Sequence, residues 1–223
     1  MDEKLALSWS GGKDACMALH TLKEQGKNVA VLVTTVPAEL GRTFAHGEKA
    51  EMILLQGKAL DIPVFFIECT YDSYKERFVE SLKHLKNTMG ITGIAYGDLY
   101  LDEHRRWGEE VAKEAGLSAN YPLWTKQEHA LQALKQFVDS GYKAKVVKIM
   151  EDCLSPRWLG RELDDSFVED IQKEDVCPMG ESGEYHTFVY DGPLFKKRIF
   201  LSGSETILLE KSRKLEFSRV WLS

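Results

Sequence analysis

The sequence predicts an α/β protein: a doubly wound parallel sheet over residues 1–125, followed by a smaller α+β domain over residues 126–223. Three observations predict it. Short apolar runs alternate with helix-period segments up to about Leu123, the pattern of strands laid parallel with helices on both faces. A serine- and glycine-containing turn joins the first apolar run to the first helical segment. Beyond Trp124 the strand signals crowd together and the helical ones shorten.

The elements follow in order. Lys4–Ser8 is apolar at Leu5, Ala6 and Leu7 and predicts a buried strand. Ala15–Gln25 places Ala15, Leu19 and Leu22 on one helical face, with Gly26 as its stop. Val29–Val36, rich in β-branched residues, is the second strand. Glu48–Leu60 is a helix with Met52, Leu55 and Ala59 at helical spacing, and Val64–Cys69 is the third strand. Tyr74–Met89 is helical, Ile91–Ala95 is the fourth strand and ends at Gly97-Asp98, and Leu101–Ala115 is a helix closed by Gly116. Leu117–Leu123 leads into a short fifth strand. The crossovers should be right-handed. In the second part Glu128–Ser140 is a helix with Ala130, Leu134 and Phe137 inward, Lys143–Met150 a strand, and Ser166–Lys173 a short helix. Thr187–Asp191 is a strand, Gly192-Pro193 a turn, and Phe195–Leu201, Glu205–Leu209 and Leu215–Leu222 three further strands. No internal repeat, low-complexity tract or long linker interrupts the chain.

Composition narrows the class. The 223 residues are 43% hydrophobic and 29% charged, enough apolar material for a sizeable core. The net charge of −6 and pI of about 5.6 disfavour a nucleic-acid partner, since phosphate backbones need a basic surface. No basic segment followed by a long apolar one opens the sequence, and no stretch reaches the ~18 apolar residues of a membrane span. Cys16, Cys69, Cys153 and Cys177 are scattered, without a CxxC pair. They read as thiols of a cytoplasmic, reduced protein.

The sharpest local signal is Ser8-Trp9-Ser10-Gly11-Gly12-Lys13-Asp14, between the first strand and the first helix. Glycines let backbone N–H groups approach an anion, and a helix N-terminus adds partial positive charge. Ser8 and Ser10 supply hydroxyl donors and Lys13 a full charge. Asp14 is suited to a magnesium ion beside the phosphates. The spacing is neither GxxxxGK[ST] nor GxGxxG. It matches the SGGxD loop of the PP-loop ATP pyrophosphatases, which cleave ATP between the α and β phosphates. An ordinary strand–turn–helix corner would explain the glycines but not the added Ser, Lys and Asp. Ligands of such sheets lie outside the carboxyl ends of the strands. There Val33-Thr34-Thr35 offers backbone groups to a purine, the loop Arg42–Gly47 carries Arg42 and His46, and Asp98 ends the fourth strand. Asp98 serves equally as a helix cap, and His46 as a solvated loop residue.

The second dense cluster is Gly180-Glu181-Ser182-Gly183-Glu184-Tyr185-His186-Thr187. Two glutamates three apart in a glycine-containing turn can bind an ammonium ion, hold magnesium or take a proton from an amine. His186 has the chemistry of a proton shuttle near neutral pH. A plain polar turn between strands is the competing explanation.

Together, Ser10-Gly-Gly-Lys-Asp14, Trp158-Leu-Gly-Arg161 and Gly180-Glu-x-Gly-Glu-Tyr-His-Thr187 resemble the diphthine–ammonia ligase family, over nearly the whole chain to about Val189. The resemblance implies an adenine-nucleotide alpha-hydrolase-like domain of HUP type with a C-terminal substrate domain. It implies ATP and Mg2+, adenylation of a carboxylate, and displacement of AMP by ammonia or another amine. The family's acceptor is diphthine, a modified histidine of elongation factor 2. Members that make diphthamide usually read Gly-Glu-Tyr-Glu-Thr, whereas His186 stands at the acidic position here. The His form resembles a bacterial branch, for which a small-molecule carboxylate is the natural substitute, so the implied acceptor is a carboxylate on a protein or on a small molecule. Ala15 also stands where many PP-loop enzymes have serine.

These readings assign Ser8, Ser10, Gly11, Gly12 and Lys13 to the phosphates, Asp14 to magnesium, and Thr34 to the base. Asp98, Arg105 and Arg161 become candidates near the scissile bond, where an arginine stabilises charge on the α-phosphate. Arg105 also fits a solvated helix position. Glu181, Glu184 and His186 are expected to face acceptor and amine, and Lys13 and Asp98 to join them in catalysis. A tRNA-modifying enzyme on the same loop would bring extra cysteines and a basic domain. A non-catalytic ATP or AMP sensor would leave Glu181 and Glu184 without a task. No membrane is expected, and the open sheet edges allow a homodimer.

Overall fold

The computed structural model describes residues 3–37, 41–44 and 46–223. Within the expected Arg42–Gly47 loop, Ala45 lies outside the described residues. Contacts divide the chain into two units: the chain up to Ser10 with Asp14–Trp124, and Gly11–Lys13 with Thr125–Ser223.

The first unit carries five parallel strands in the order β3-β2-β1-β4-β5. They are β1 (Lys4–Ser8), β2 (Asn28–Pro37), β3 (Val64–Cys69), β4 (Gly93–Ala95) and β5 (Ser118–Asn120). The helices between them are α1 (Lys13–Glu24), α2 (Ala50–Leu60), α3 (Tyr74–Met89) and α4 (Asp102–Ala115). The central strand is apolar throughout because helices cover both faces of such a sheet: Leu5, Ala6 and Leu7 are fully buried. Helix ends obey backbone sterics. α3 and α4 stop at Gly90 and Gly116, at φ 69° and 68°, where glycine takes the left-handed conformation at no steric cost. Asp61 does the same for α2 at φ 56°, a conformation that Asp tolerates better than most residues. α1 begins at Lys13, two residues before the expected Ala15, so the helix N-terminus reaches into the glycine loop.

The second unit carries an antiparallel sheet in the order β7-β6-β9-β8. Its strands are β6 (Lys143–Met150), β7 (Tyr185–Asp191), β8 (Ile199–Leu208) and β9 (Ser212–Leu222). Helices α5 (Ala130–Asp139) and α6 (Asp165–Ile171) contribute Leu134, Phe137, Phe167 and Ile171 to its core. Two expectations need correction. The strands expected at Phe195–Leu201 and Glu205–Leu209 are one strand, because Gly203 absorbs a left-handed φ of 64° without shifting register. A Cβ at Gly203 would lie 2.2 Å from Ser218 Oγ, so the glycine lets the two strands stay paired. Phe195 belongs to the preceding turn, its N–H donating to the Gly192 carbonyl at 2.9 Å. β7 starts at Tyr185 rather than Thr187, which moves His186 out of the turn and into the sheet.

Asp164 caps α6: its Oδ1 accepts the Phe167 N–H at 2.9 Å and the Ser166 hydroxyl at 2.7 Å. The Ser166 bond and the Phe167 amide, helped by Arg161, hold its carboxyl below the usual carboxylate range. Asp164→Ala is predicted to cost about 1 kcal/mol in denaturant unfolding at neutral pH. A carboxyl depressed in the folded state stabilises above its unfolded pKa. The difference between variant and parent should therefore shrink as pH falls through the carboxylate range.

Candidate active site

The glycine loop leaves the carboxyl end of β1, which lies between β2 and β4, the point where the sheet order reverses. Crevices at such points take ligands in open α/β sheets. Trp9 fixes the entry to the loop. Its side chain is 2% exposed and its Nε1–H donates to Gln56 Oε1 at 2.9 Å. Its backbone N–H donates to the Val33 carbonyl at 2.8 Å, and its carbonyl accepts the Thr34 hydroxyl at 2.7 Å. Thr34 is thus committed through its hydroxyl to holding the loop, a role that sequence reasoning missed. Gly11 adopts φ 83°. Gly97, beside Asp98, lies so close to the start of α1 that a Cβ there would sit 3.0 Å from Ala15 N and from Asp14 C. The structure therefore brings the Asp98 strand end and the Asp14 helix start together.

Gly11–Lys13 are counted with the second unit, and their bonds explain why. The Val189 N–H donates to the Gly11 carbonyl at 3.0 Å, and the Lys13 N–H donates to Thr187 Oγ1 at 3.0 Å. Lys13 is 2% exposed, with Nζ 4.9 Å from the centre of the Tyr185 ring. Thr187, the last residue of the second sequence cluster, is buried. Its place one residue after His186 in an alternating strand is the signal that the hydroxyl points inward.

His186 stands opposite Lys148 on β6, which stands opposite Lys214 on β9. Burial, then Lys148, Lys13 and Lys214, push its pKa down from 6.5 to about 3. The charged imidazole is disfavoured, since protonation would add a cation beside Lys148, Lys13 and Lys214. Lys214, 2% exposed, is a further buried charge that the sequence pattern did not mark. The turn before β7 is shaped by Glu184. Its Oε1 accepts the Cys177 N–H at 3.1 Å and its Oε2 the Ser182 N–H at 3.0 Å. Glu184 thereby ties both ends of the turn that contains Glu181, while Gly180 and Gly183 supply φ values of 63° and 88°.

Both candidate arginines have partners within the fold. Arg161 Nη1 donates to Asp170 at 2.8 Å, Nη2 to Ser166 at 3.2 Å, and the guanidinium lies 4.7 Å from the Trp158 ring centre. Arg105 Nε donates to Glu109 at 2.8 Å while its guanidinium lies 4.8 Å from Trp124 and 5.6 Å from Tyr121. Asp98 Oδ1 lies 3.0 Å from His104 Nδ1. Among the described residues no group of three or more His, Cys, Asp or Glu is arranged to hold a metal ion. Asp14, in the first turn of α1, fits magnesium in the way that ion usually binds, through one or two carboxylates plus substrate phosphates. Among the described residues no helix is long and apolar enough to cross a membrane.

A glycine loop joining the central strand of a reversing parallel sheet to a helix N-terminus defines a phosphate-binding α/β protein. Residues 3–119 match the Diphthamide synthase N-terminal domain and residues 129–220 the Diphthamide synthase C-terminal domain, so the chain belongs to the diphthamide synthase family, a family of enzymes. Its relatives include the diphthine–ammonia ligase of Homo sapiens, 29% identical over 92% of this chain and 85% of that protein. The diphthine–ammonia ligase of Danio rerio is 28% identical over 89% of this chain and 86% of that protein. That of Schizosaccharomyces pombe is 28% identical over 89% of this chain and 36% of that protein. A solved structure described as a predicted subunit of tRNA methyltransferase, from Methanocaldococcus jannaschii, aligns at a TM-score of 0.42 and 17% identity, over 84% of this chain and 96% of that one.

Two outcomes follow from this geometry. Thr187→Val leaves the Lys13 N–H without its acceptor and should lower stability by about 1–3 kcal/mol in denaturant unfolding, while Thr187→Ser should retain most of it. A base whose folded pKa lies below its unfolded value loses stability as pH drops between the two. The folded protein should therefore weaken from about pH 6.5 toward about pH 3, less so in His186→Gln. Nitrogen chemical shifts of the His186 ring should stay those of a neutral imidazole at pH 5; a transition near 6.5 would contradict the burial argument.

Proposed function

We propose that this chain is an ATP-dependent, amide-forming ligase of the diphthine–ammonia ligase kind. The observation that supports it best is the Ser10–Asp14 loop at the carboxyl end of β1, with α1 starting at Lys13. In this reading the parallel-sheet unit binds ATP and the second unit binds the acceptor. Ser8, Ser10 and the glycine amides receive the phosphates, Lys13 balances their charge, and Asp14 shares magnesium with them; magnesium supplies further neutralisation of the leaving pyrophosphate. A carboxylate oxygen attacks the α-phosphorus, the α–β P–O bond breaks, and pyrophosphate leaves. The nitrogen of ammonia then attacks the acyl carbon, AMP departs with the original carboxylate oxygen, and Glu181 takes the proton that the nitrogen loses. Glu184 holds the turn that presents Glu181, and the neutral His186 keeps its row of the sheet from gaining another charge.

The acceptor is the finer question. His186 stands where members that make diphthamide carry an acid, which favours a carboxylate on a small molecule, as in a bacterial branch of the family. The test is ATP turnover with magnesium and ammonium, against a panel holding diphthine-bearing elongation factor and small carboxylates. AMP and pyrophosphate should form only with the right acceptor, and Lys13→Ala should reduce their formation by roughly a hundredfold or more. ADP and phosphate as products would overturn the reading. So would acceptor-independent ATP binding with no turnover across the panel, which is the behaviour of a sensor.

A further inference from the structure

The exposed apolar side chains of this protein collect on one hairpin. Among the described residues six large hydrophobic side chains are exposed, and four of them, Phe200, Leu208, Leu209 and Trp221, lie on β8, on β9 or in the turn between them. Leu208 is 67% exposed and Phe200 37%, and Phe200 stacks on Trp221 with ring centres 5.4 Å apart. β8 is the outermost strand of the antiparallel sheet, paired along its length with β9 and, among the described residues, with no strand on its other side. Such an edge presents a row of backbone N–H and C=O groups, and folds commonly protect it by keeping the strand short or placing Pro or Lys on it. β8 runs from Ile199 to Leu208 and contains neither Pro nor Lys.

The chemistry of that edge reads nearly the same in both directions. From Arg198 to Glu210 the order is one basic residue, three apolar ones, Ser-Gly-Ser-Glu-Thr, three apolar ones and one acidic residue. An antiparallel pair related by a twofold axis normal to the sheet keeps every side chain on its own face, so the strand must match its own reverse about one residue. Ser204 is that residue. About it, Phe200 meets the second copy's Leu208, Leu201 meets Ile207, and Ser202 meets Thr206. Glu205, the one charge within β8, falls opposite Gly203, which has no side chain to oppose it. At the rim Arg198 reaches the second copy's Glu210. Arg198 is half-exposed, with its guanidinium 5.5 Å from the centre of the Phe200 ring, so its charge stands on the face that carries Phe200. Neighbouring registers are worse. Centring on Ser202 or on Thr206 sets an apolar side chain opposite Ser204, and centring on Glu205 sets two carboxylates together.

We infer that β8 is the docking edge for a second copy of this chain, paired antiparallel about Ser204, so that two four-stranded sheets join into one continuous sheet. The match of the strand to its own reverse, in apolar residues and in the opposite charges at its rim, selects this occupant over a strand of another protein. The inference is independent of the ligase reading. Its test uses the full chain without ATP, in a Cys153→Ser background because Cys153 is exposed. Sedimentation equilibrium should give a dimer that dissociates on dilution. Leu208→Lys, with an unchanged secondary-structure spectrum, should raise the dissociation constant at least about tenfold. Arg198→Glu and Glu210→Arg should each weaken the dimer several-fold, and the two together should restore it. Cross-linking reads the register. In Ser204→Cys the two copies of the residue stand about 4.5–5.5 Å apart between Cα atoms, within reach of a disulfide, so oxidation by copper phenanthroline in air should trap a covalent dimer. In Thr206→Cys they stand roughly 14 Å apart, and no covalent dimer should form. A monomer at every concentration, as expected if the edge takes a strand of another protein, would overturn the inference. So would a dimer indifferent to Leu208→Lys, or cross-linking in Thr206→Cys but not in Ser204→Cys.

Discussion

The structure depends first on how the backbone of the glycine loop is held. A run of Ser, Gly and Gly has many conformations open to it, and an anion site needs one. The restraints are hydrogen bonds to the backbone rather than packing of side chains. Trp9 gives its N–H to Val33 and takes the Thr34 hydroxyl on its carbonyl. Gly11 takes the Val189 N–H on its carbonyl, and Lys13 gives its N–H to Thr187. Each bond is buried or nearly so, and losing one partner would leave a group unsatisfied. The loop is therefore restrained by hydrogen bonds of the fold itself, a form of preorganisation that favours binding of a charged group.

That constraint explains why residues far apart in sequence matter to one site. Thr187 and Val189 bond to a loop that lies more than a hundred and seventy positions earlier. Tyr185, two residues before Thr187, offers its ring to Lys13. The strand that supplies these three also carries His186, whose pKa is pushed down first by burial and then by the lysines around it. The second sequence cluster thus divides by role. Its turn is held by Glu184, which accepts the Cys177 and Ser182 N–H groups. Its strand supports the loop.

Much of the first unit was legible because buried parallel strands write themselves as apolar runs and glycines mark helix ends. β1, β3 and α3 lie where the sequence puts them, and Gly90 and Gly116 act through a left-handed φ that a sequence can announce. Less was legible in the second unit. Gly203 reads as a strand breaker, yet it lies within β8, since its lack of a Cβ beside Ser218 is what permits pairing. Arg161 and Arg105 read in the sequence as candidates near the scissile bond; in the fold Arg161 Nη1 and Nη2 donate to Asp170 and Ser166 and Arg105 Nε donates to Glu109, partners that only the fold supplies. Thr34 looked like a contact for a base through its backbone, whereas its hydroxyl holds the Trp9 carbonyl. That His186 lies in a strand opposite Lys148 depends on register, which periodicity alone does not fix.

The central claim is that the Ser10–Asp14 loop is a prebuilt site for the phosphates of ATP. Hydrogen–deuterium exchange with pyrophosphate and magnesium tests it without knowledge of the acceptor. Peptides spanning residues 8–15 should exchange more slowly at saturating pyrophosphate, and Lys13→Ala should abolish that protection at the same concentration. Unchanged exchange across residues 8–15, with protection appearing elsewhere in the chain or nowhere, would contradict the account.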